Sequence, residues 1–154
     1  MSASVEDIEK FYANIGEVGK GLWPMLHIIA MNAETDAERE FVMRVFKNVI
    51  ANFFCQNCQG HAEKFLEKKP LEKYKTFHHP SFKRDIGLFR WTYEFHKEGY
   101  EYLTKNKSPS FQTVYDYYMR FTSSEKQGAK GCTVCQKARE AKNAKPNTVN
   151  VLRF

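Results

Sequence analysis

Apolar residues recur at three- and four-residue spacing along most of the chain, and strand-like alternation is almost absent. Val5, Ile8, Phe11, Tyr12 and Ile15 form the first such stretch, opened by Ser4-x-x-Asp7 and closed by Gly16, Gly19 and Gly21. A second helix is expected from about Leu22 to Asn32, with Pro24 in its first turn, where a missing N–H has no partner to lose. Thr35-x-x-Glu38 is a capping-box pattern ahead of Phe41, Val42, Val45, Phe46, Val49, Ile50 and Phe53, so a third helix runs toward Cys55. A fourth spans Gln56 to Lys69, carries Ala62, Phe65 and Leu66, and is stopped by Pro70. Residues 70–83, with two prolines and the pair His78-His79, read as a loop. A long fifth helix, about Arg84 to Asn106, carries the stripes Leu88/Trp91/Phe95/Tyr102 and Phe89/Tyr93/His96/Tyr100/Leu103. Ser108-Pro109-Ser110 then separates it from a short helix, Phe111 to Phe121.

The pattern predicts an all-α protein, and the length of 154 residues suits one compact domain. We expect a helical body over residues 1–121 and a tail over 122–154. Thr122 to Gly131, rich in serine and glycine, reads as a linker that spans ~18 Å root-mean-square as flexible coil. No apolar run approaches the ~20 residues of a membrane span, and the acidic start Met1-Ser-Ala-Ser-Val-Glu-Asp lacks the regions of a signal peptide. A soluble protein of the cell interior, with no membrane partner, is the expectation.

The net charge of +6 changes this picture less than it promises. Residues 1–119 hold 16 Lys and Arg against 16 Asp and Glu, whereas residues 120–154 hold 8 against 2. A balanced body with a basic tail does not point to nucleic acid as a basic face would.

Four cysteines fall as two identical spacings, Cys55-Gln-Asn-Cys58 and Cys132-Thr-Val-Cys135. In a chain expected inside the cell, that arrangement argues against a static disulfide scaffold and leaves metal or redox chemistry. Cys55 stands at a predicted helix start, where unpaired N–H groups and the dipole favour a thiolate, with Cys58 three residues on. No strand precedes the pair, so its setting is not that of thioredoxin. A zinc site from Cys55, Cys58, His61, Cys132 and Cys135 would bridge 73 intervening residues, far beyond the ~15–20 of a compact zinc ribbon. His78 and His79 are as well explained by loop polarity as by metal.

Trp23, His27, Trp91, His96, Tyr100 and Tyr118 are spread over three of the predicted helices. Such side chains either pack a core or stack on the faces of a flat ligand. Together with a redox pair, they point to a planar redox cofactor.

Three motifs in order resemble the Erv/ALR family of FAD-linked sulfhydryl oxidases. Trp23-Pro-Met-Leu26-His27-Ile-Ile-Ala30 is similar to that family's W-x-x-L-H-x-x-A helix, and Phe53-Phe54-Cys55-Gln-Asn-Cys58 to its aromatic-preceded C-x-x-C. Trp91, Phe95-His96, Leu103 and Lys105 fall at the offsets of W-x(4)-H-N-x-V-N-x-x-L-x-K. The resemblance covers about Gly19 to Tyr118. Two features depart from it: H-N-x-V-N becomes His96-Lys97-Glu98-Gly99-Tyr100, and a further stapling cysteine pair found in some members is missing. Gly99 in mid-helix costs ~1 kcal/mol relative to alanine, a cost offset if a ring packs against bare backbone there, or one simply tolerated.

The resemblance implies a four-helix bundle with a short additional helix, FAD at one end beside the C-x-x-C, and a homodimer; the N-terminal helix and the C-terminal tail would be additions. By position, Trp23 and His27 would contact flavin or adenine, and Lys20 would stand for a basic FAD-contacting residue. Tyr100 and Trp91 would line the same site, His96 and Lys105 would reach the adenine and phosphate portions, and Tyr118 would replace a frequent tryptophan. Cys58 would lie against flavin C4a as a thiolate while Cys55 exchanges with incoming thiols. Electrons would pass from a dithiol protein substrate, a thioredoxin-like carrier among the candidates, through Cys132/Cys135 and Cys55/Cys58 to FAD and then O2, giving H2O2. No metal is expected in this scheme. Members without targeting sequences occur in cytoplasmic DNA viruses as well as in cells, so the cytoplasm, the host's or a virion's interior if viral, is the expected location. The non-enzymatic alternative is a zinc-stabilised helical adaptor whose basic tail binds an acidic partner.

Overall fold

The structure, a computed structural model, describes residues 16–122, with side chains from residue 21 onward. The N-terminal stretch Val5 to Ile15, the linker beyond Thr122 and the pair Cys132/Cys135 lie outside the described residues. Among the described residues there are five α-helices: α1 Gly16–Asn32, α2 Asp36–Ala51, α3 Gln56–Lys68, α4 Gly87–Thr104 and α5 Phe111–Met119, with a 3-10 turn at Leu71–Tyr74. The described residues contain no strand. None of their helices is long and apolar enough to cross a membrane.

Local chemistry sets three of the helix starts. Thr35 caps α2 through a full capping box: its hydroxyl accepts the Glu38 N–H at 3.2 Å, and the Glu38 carboxylate accepts the Thr35 N–H at 2.8 Å. Ser110 caps α5 by accepting the Thr113 N–H at 3.2 Å. Cys55 caps α3 with its sulfur. At the other end of α4, Lys105 takes a left-handed conformation, φ 60°, and its N–H closes the helix on the Glu101 carbonyl at 3.1 Å.

The start of α1 corrects the sequence reading. Gly16, Gly19 and Gly21 lie within α1, and Pro24 sits in its interior, not in a first turn; the expected helix before them lies outside the described residues. Proline there removes the bond its N–H would make to the carbonyl four residues back. The helix survives because Trp23, Leu26, His27, Ala30 and Met31, all at helical spacing, are buried against the rest of the molecule. Tertiary packing outweighs the local penalty.

The four longer helices form a bundle, with α1 packed along α4, α2 between α1 and α3, and the short α5 laid across α1 and α4. Trp91, fully buried, joins three elements: it stacks on Phe46 of α2 at 5.7 Å, meets Phe65 of α3 edge-on at 5.4 Å, and donates its indole N–H to the Lys69 carbonyl at 2.7 Å. Phe89, Tyr118 and Val114 close the end covered by α5. The expected stripes are not buried throughout: Phe41, Tyr102 and Leu103 remain 60%, 60% and 57% exposed.

The stretch expected as plain loop is more ordered than its prolines suggest. Leu71 is fully buried, and Glu94 of α4 holds the segment by accepting bonds from Lys69, from the Tyr74 hydroxyl at 2.8 Å and from Arg90 at 2.9 Å. Burial raises the Glu94 carboxyl, but these donors together hold it below its ordinary value. Gly87 is required by this docking, since a Cβ there would run into the Tyr74 carbonyl oxygen. Backbone cannot yield as a side-chain tip would. Gly87→Ala is therefore expected to destabilise the fold by at least ~1–3 kcal/mol, read as a lower urea midpoint; an unchanged midpoint would show that the segment is not docked as described.

Candidate redox-active site

The α2 helix is capped at Asn52, and the short connection through Phe53 and Phe54 delivers Cys55 to the N-cap position of α3. Cys55 and Cys58 form a disulfide, with Cα atoms 5.2 Å apart. The Cys58 N–H points at the Cys55 sulfur, 3.3 Å away, so the amides at the start of α3 face this pair. Either sulfur released as a thiolate is stabilised by those amides and the helix dipole. Both cysteines are half-buried, while the neighbouring Phe54 is 73% exposed.

Cys58 opens into an apolar cavity of about 150 Å³ enclosed by all four bundle helices. The walls are Leu22, Trp23 and Leu26 from α1, Phe46, Val49 and Ile50 from α2, and Trp91, Phe95 and Gly99 from α4. His61 of α3 meets the ring of Tyr102 edge-on at 5.4 Å where the cavity reaches the surface. A larger concavity, about 650 Å³, lies on the other face of α4. Among the described residues no cysteine lines it, and its carboxylates Glu94, Glu98 and Glu101 are already bonded to Lys69, Lys68 and Ser108. The smaller cavity is the one with chemistry at its wall.

Beside it stands a buried aromatic and histidine cluster. Trp23 and His96 stack at 4.3 Å and 4°, and His27, fully buried, touches His96 and Tyr118 with ring centres 5.6 and 5.0 Å away. The bonds order the protons. Thr92 gives its hydroxyl hydrogen to the Phe89 carbonyl at 2.8 Å, so its oxygen accepts from His27 Nδ1 at 2.8 Å; His27 Nε2 is then the acceptor toward His96 Nδ1 at 3.3 Å. Burial lowers the His27 pKa to about 3, in keeping with a ring that stays neutral.

The structure thus brings together Trp23, His27, His96 and Tyr118, and places Trp91 on the cavity wall. Trp23 and His96 stack directly on each other, ring against ring. Tyr100 is half-buried on α4, and Lys105 is exposed, its ammonium 4.8 Å over the Tyr102 ring. Lys20 lies in the first turns of α1, and its side chain is outside the described residues, as are Cys132 and Cys135. Among the described residues no three His, Cys, Asp or Glu side chains gather as a metal site. Sequence reasoning missed Thr92, whose signal was a polar residue amid an apolar stripe one turn before His96. It also missed the cavity walls Leu22 and Val49, which carry no signal beyond being apolar.

His27 gives the protein a pH dependence of stability. Its folded pKa lies below the ordinary 6.5, so in the window from 6.5 down to 3 the unfolded chain takes a proton that the folded chain refuses. Stability from this group is complete above pH 6.5 and falls by up to ~1.4 kcal/mol per pH unit below it. Urea unfolding of His27→Gln between pH 6.5 and 5 is expected to show a flatter profile than wild type; parallel profiles would mean that His27 titrates normally.

Comparison with curated proteins and with solved structures found no match. The Erv1/Alr family model matches residues 20–120, from within α1 to just past α5. That match covers the cysteine pair, the cavity and the histidine cluster, and the chain belongs to the Erv1/Alr family.

Proposed function

We propose that this protein is an FAD-dependent thiol oxidase in which Cys55 and Cys58 make disulfides in dithiol substrates. Members of the Erv1/Alr family are FAD-linked sulfhydryl oxidases, which supports an oxidoreductase. The observation that carries the reading is the disulfide at the start of α3, with Cys58 opening into an apolar cavity walled by Trp23 and Trp91.

The residues suit a flat ring. The walls are apolar, the cavity reaches the surface beside Tyr102 and Leu103, and the Trp23 indole N–H is buried without a partner among the described residues. At about 150 Å³ the space is smaller than the ~300–1,000 Å³ of sites that enclose a whole drug-sized ligand, so it suits one ring portion of a dinucleotide. Leu22, Trp23, Leu26, Trp91 and Gly99 would hold that portion. When bound, FAD supplies the two-electron acceptor that side chains lack and returns the electrons to O2 as H2O2.

The protein's own step is thiol–disulfide exchange. A substrate thiolate attacks the Cys55 sulfur; the Cys55–Cys58 bond breaks, and Cys58 leaves as a thiolate. The second substrate thiol, deprotonated, attacks the substrate sulfur of the mixed disulfide and expels Cys55. The substrate is then a disulfide, oxidised by two electrons, and the Cys55/Cys58 pair is reduced by two. Both leaving sulfurs lie at a helix N-terminus, which makes each a better leaving group. Attack at Cys55 is favoured because Cys58 is committed to the cavity. Cys132 and Cys135 are assigned the shuttle that hands electrons from a protein substrate to Cys55.

Purified full-length protein is expected to be yellow, with oxidised-flavin absorbance. Cys58→Ser should abolish oxygen consumption with any dithiol. Replacing Cys132 and Cys135 by serine should spare turnover of a small dithiol and lower turnover of a reduced protein; equal loss with both substrates would remove the shuttle. Colourless protein holding stoichiometric zinc would overturn the oxidase reading.

A further inference from the structure

We infer that Gly99 is the part of the α4 wall that admits the FAD ring, its missing side chain being the space the ring uses. The inference rests on the reading that this chain binds FAD, and concerns which of its residues sets the room available.

One face of α4 carries Trp91, Phe95, Gly99 and Tyr102 in succession, and all four line the cavity that holds Cys58. Three are large rings. The fourth is a glycine in mid-helix, which weakens a helix relative to alanine by leaving the unfolded backbone more freedom to lose. The two glycines of α4 differ in kind. Gly87 is forced, because a Cβ would meet Tyr74 backbone; at Gly99 a Cβ would meet nothing within 4 Å. No neighbouring group requires the bare position. Gly21 and Gly60 are equally open, but neither lines the cavity. Gly99 stands where the resembling family motif has valine, and on the α4 wall of this chain's cavity that position carries no side chain. A side chain there, whose Cβ would meet no protein atom within 4 Å, would take up room at the wall of the cavity that Cys58 also lines. It would favour the empty protein and oppose the loaded one, a pair of effects that a purely structural glycine cannot produce.

The test uses the full chain freed of flavin and titrated with FAD, with binding read from quenching of Trp23 and Trp91 fluorescence, and with thermal melting of the FAD-free form. Gly99→Ala is expected to raise the FAD-free Tm by about 2–4 °C and to weaken FAD binding by about tenfold or more, and Gly99→Val to weaken binding further. Binding as tight as wild type in both variants would overturn the inference, and so would a lowered Tm of FAD-free Gly99→Ala, which would mark the glycine as a requirement of the fold. Wild-type protein that takes up no FAD at all would end the oxidase reading and this inference together, whereas wild-type binding with indifferent variants ends this inference alone.

Discussion

The seam between α1 and α4 is the constraint on which the molecule depends. Trp23 stacks on His96 across it, His27 bonds to Thr92 and His96 across it, and both helices wall the cavity beside Cys58. Because His27 and Thr92 are fully buried, each polar atom needs its partner, and a slip of one helix along the other would strand several at once. Apolar contact alone tolerates such slips. The polar bonds therefore give α1 and α4 a fixed register, and the shape of the cavity follows from it.

The same seam explains how α1 tolerates a proline and three glycines. Its local preferences are poor for a helix, yet it forms because its buried face has a matching surface to meet. By contrast α2 is favoured locally as well, with a capping box at one end and acidic residues in the first turn.

These two helices mark where sequence reading succeeds and where it stops. The Thr35 capping box, the Pro70 stop and the Ser110 cap are short-range devices, so the starts of α2 and α5 and both ends of α3 were legible within a residue, whereas α2, expected to run into Cys55, stops at Ala51. The course of α1 through Pro24 depends on residues more than sixty positions away, and no local pattern could reveal it. The order of Trp23-His27, Cys55-Cys58 and Trp91-His96 was visible, as was the family it resembles. Their arrangement was not: that Trp23 and His96 face each other, that Thr92 completes the polar chain, and that Tyr102 stays exposed at a cavity mouth are products of helix packing.

The sulfur that caps α3 couples local backbone order to oxidation state. In the disulfide, Cys55 offers the Cys58 amide a weak, uncharged acceptor. A thiolate at the same position carries a full negative charge where the helix end is positive, and so caps more strongly. In the oxidised pair the covalent bridge itself closes the first turn of α3; in a reduced pair the charged cap would take over part of that role. By thermodynamic linkage, whatever steadies the reduced form makes the oxidised pair a stronger electron acceptor. The stronger that cap, the more readily such a pair accepts electrons and the less readily it gives them up, so a few amide groups in one helical turn set the balance between the two.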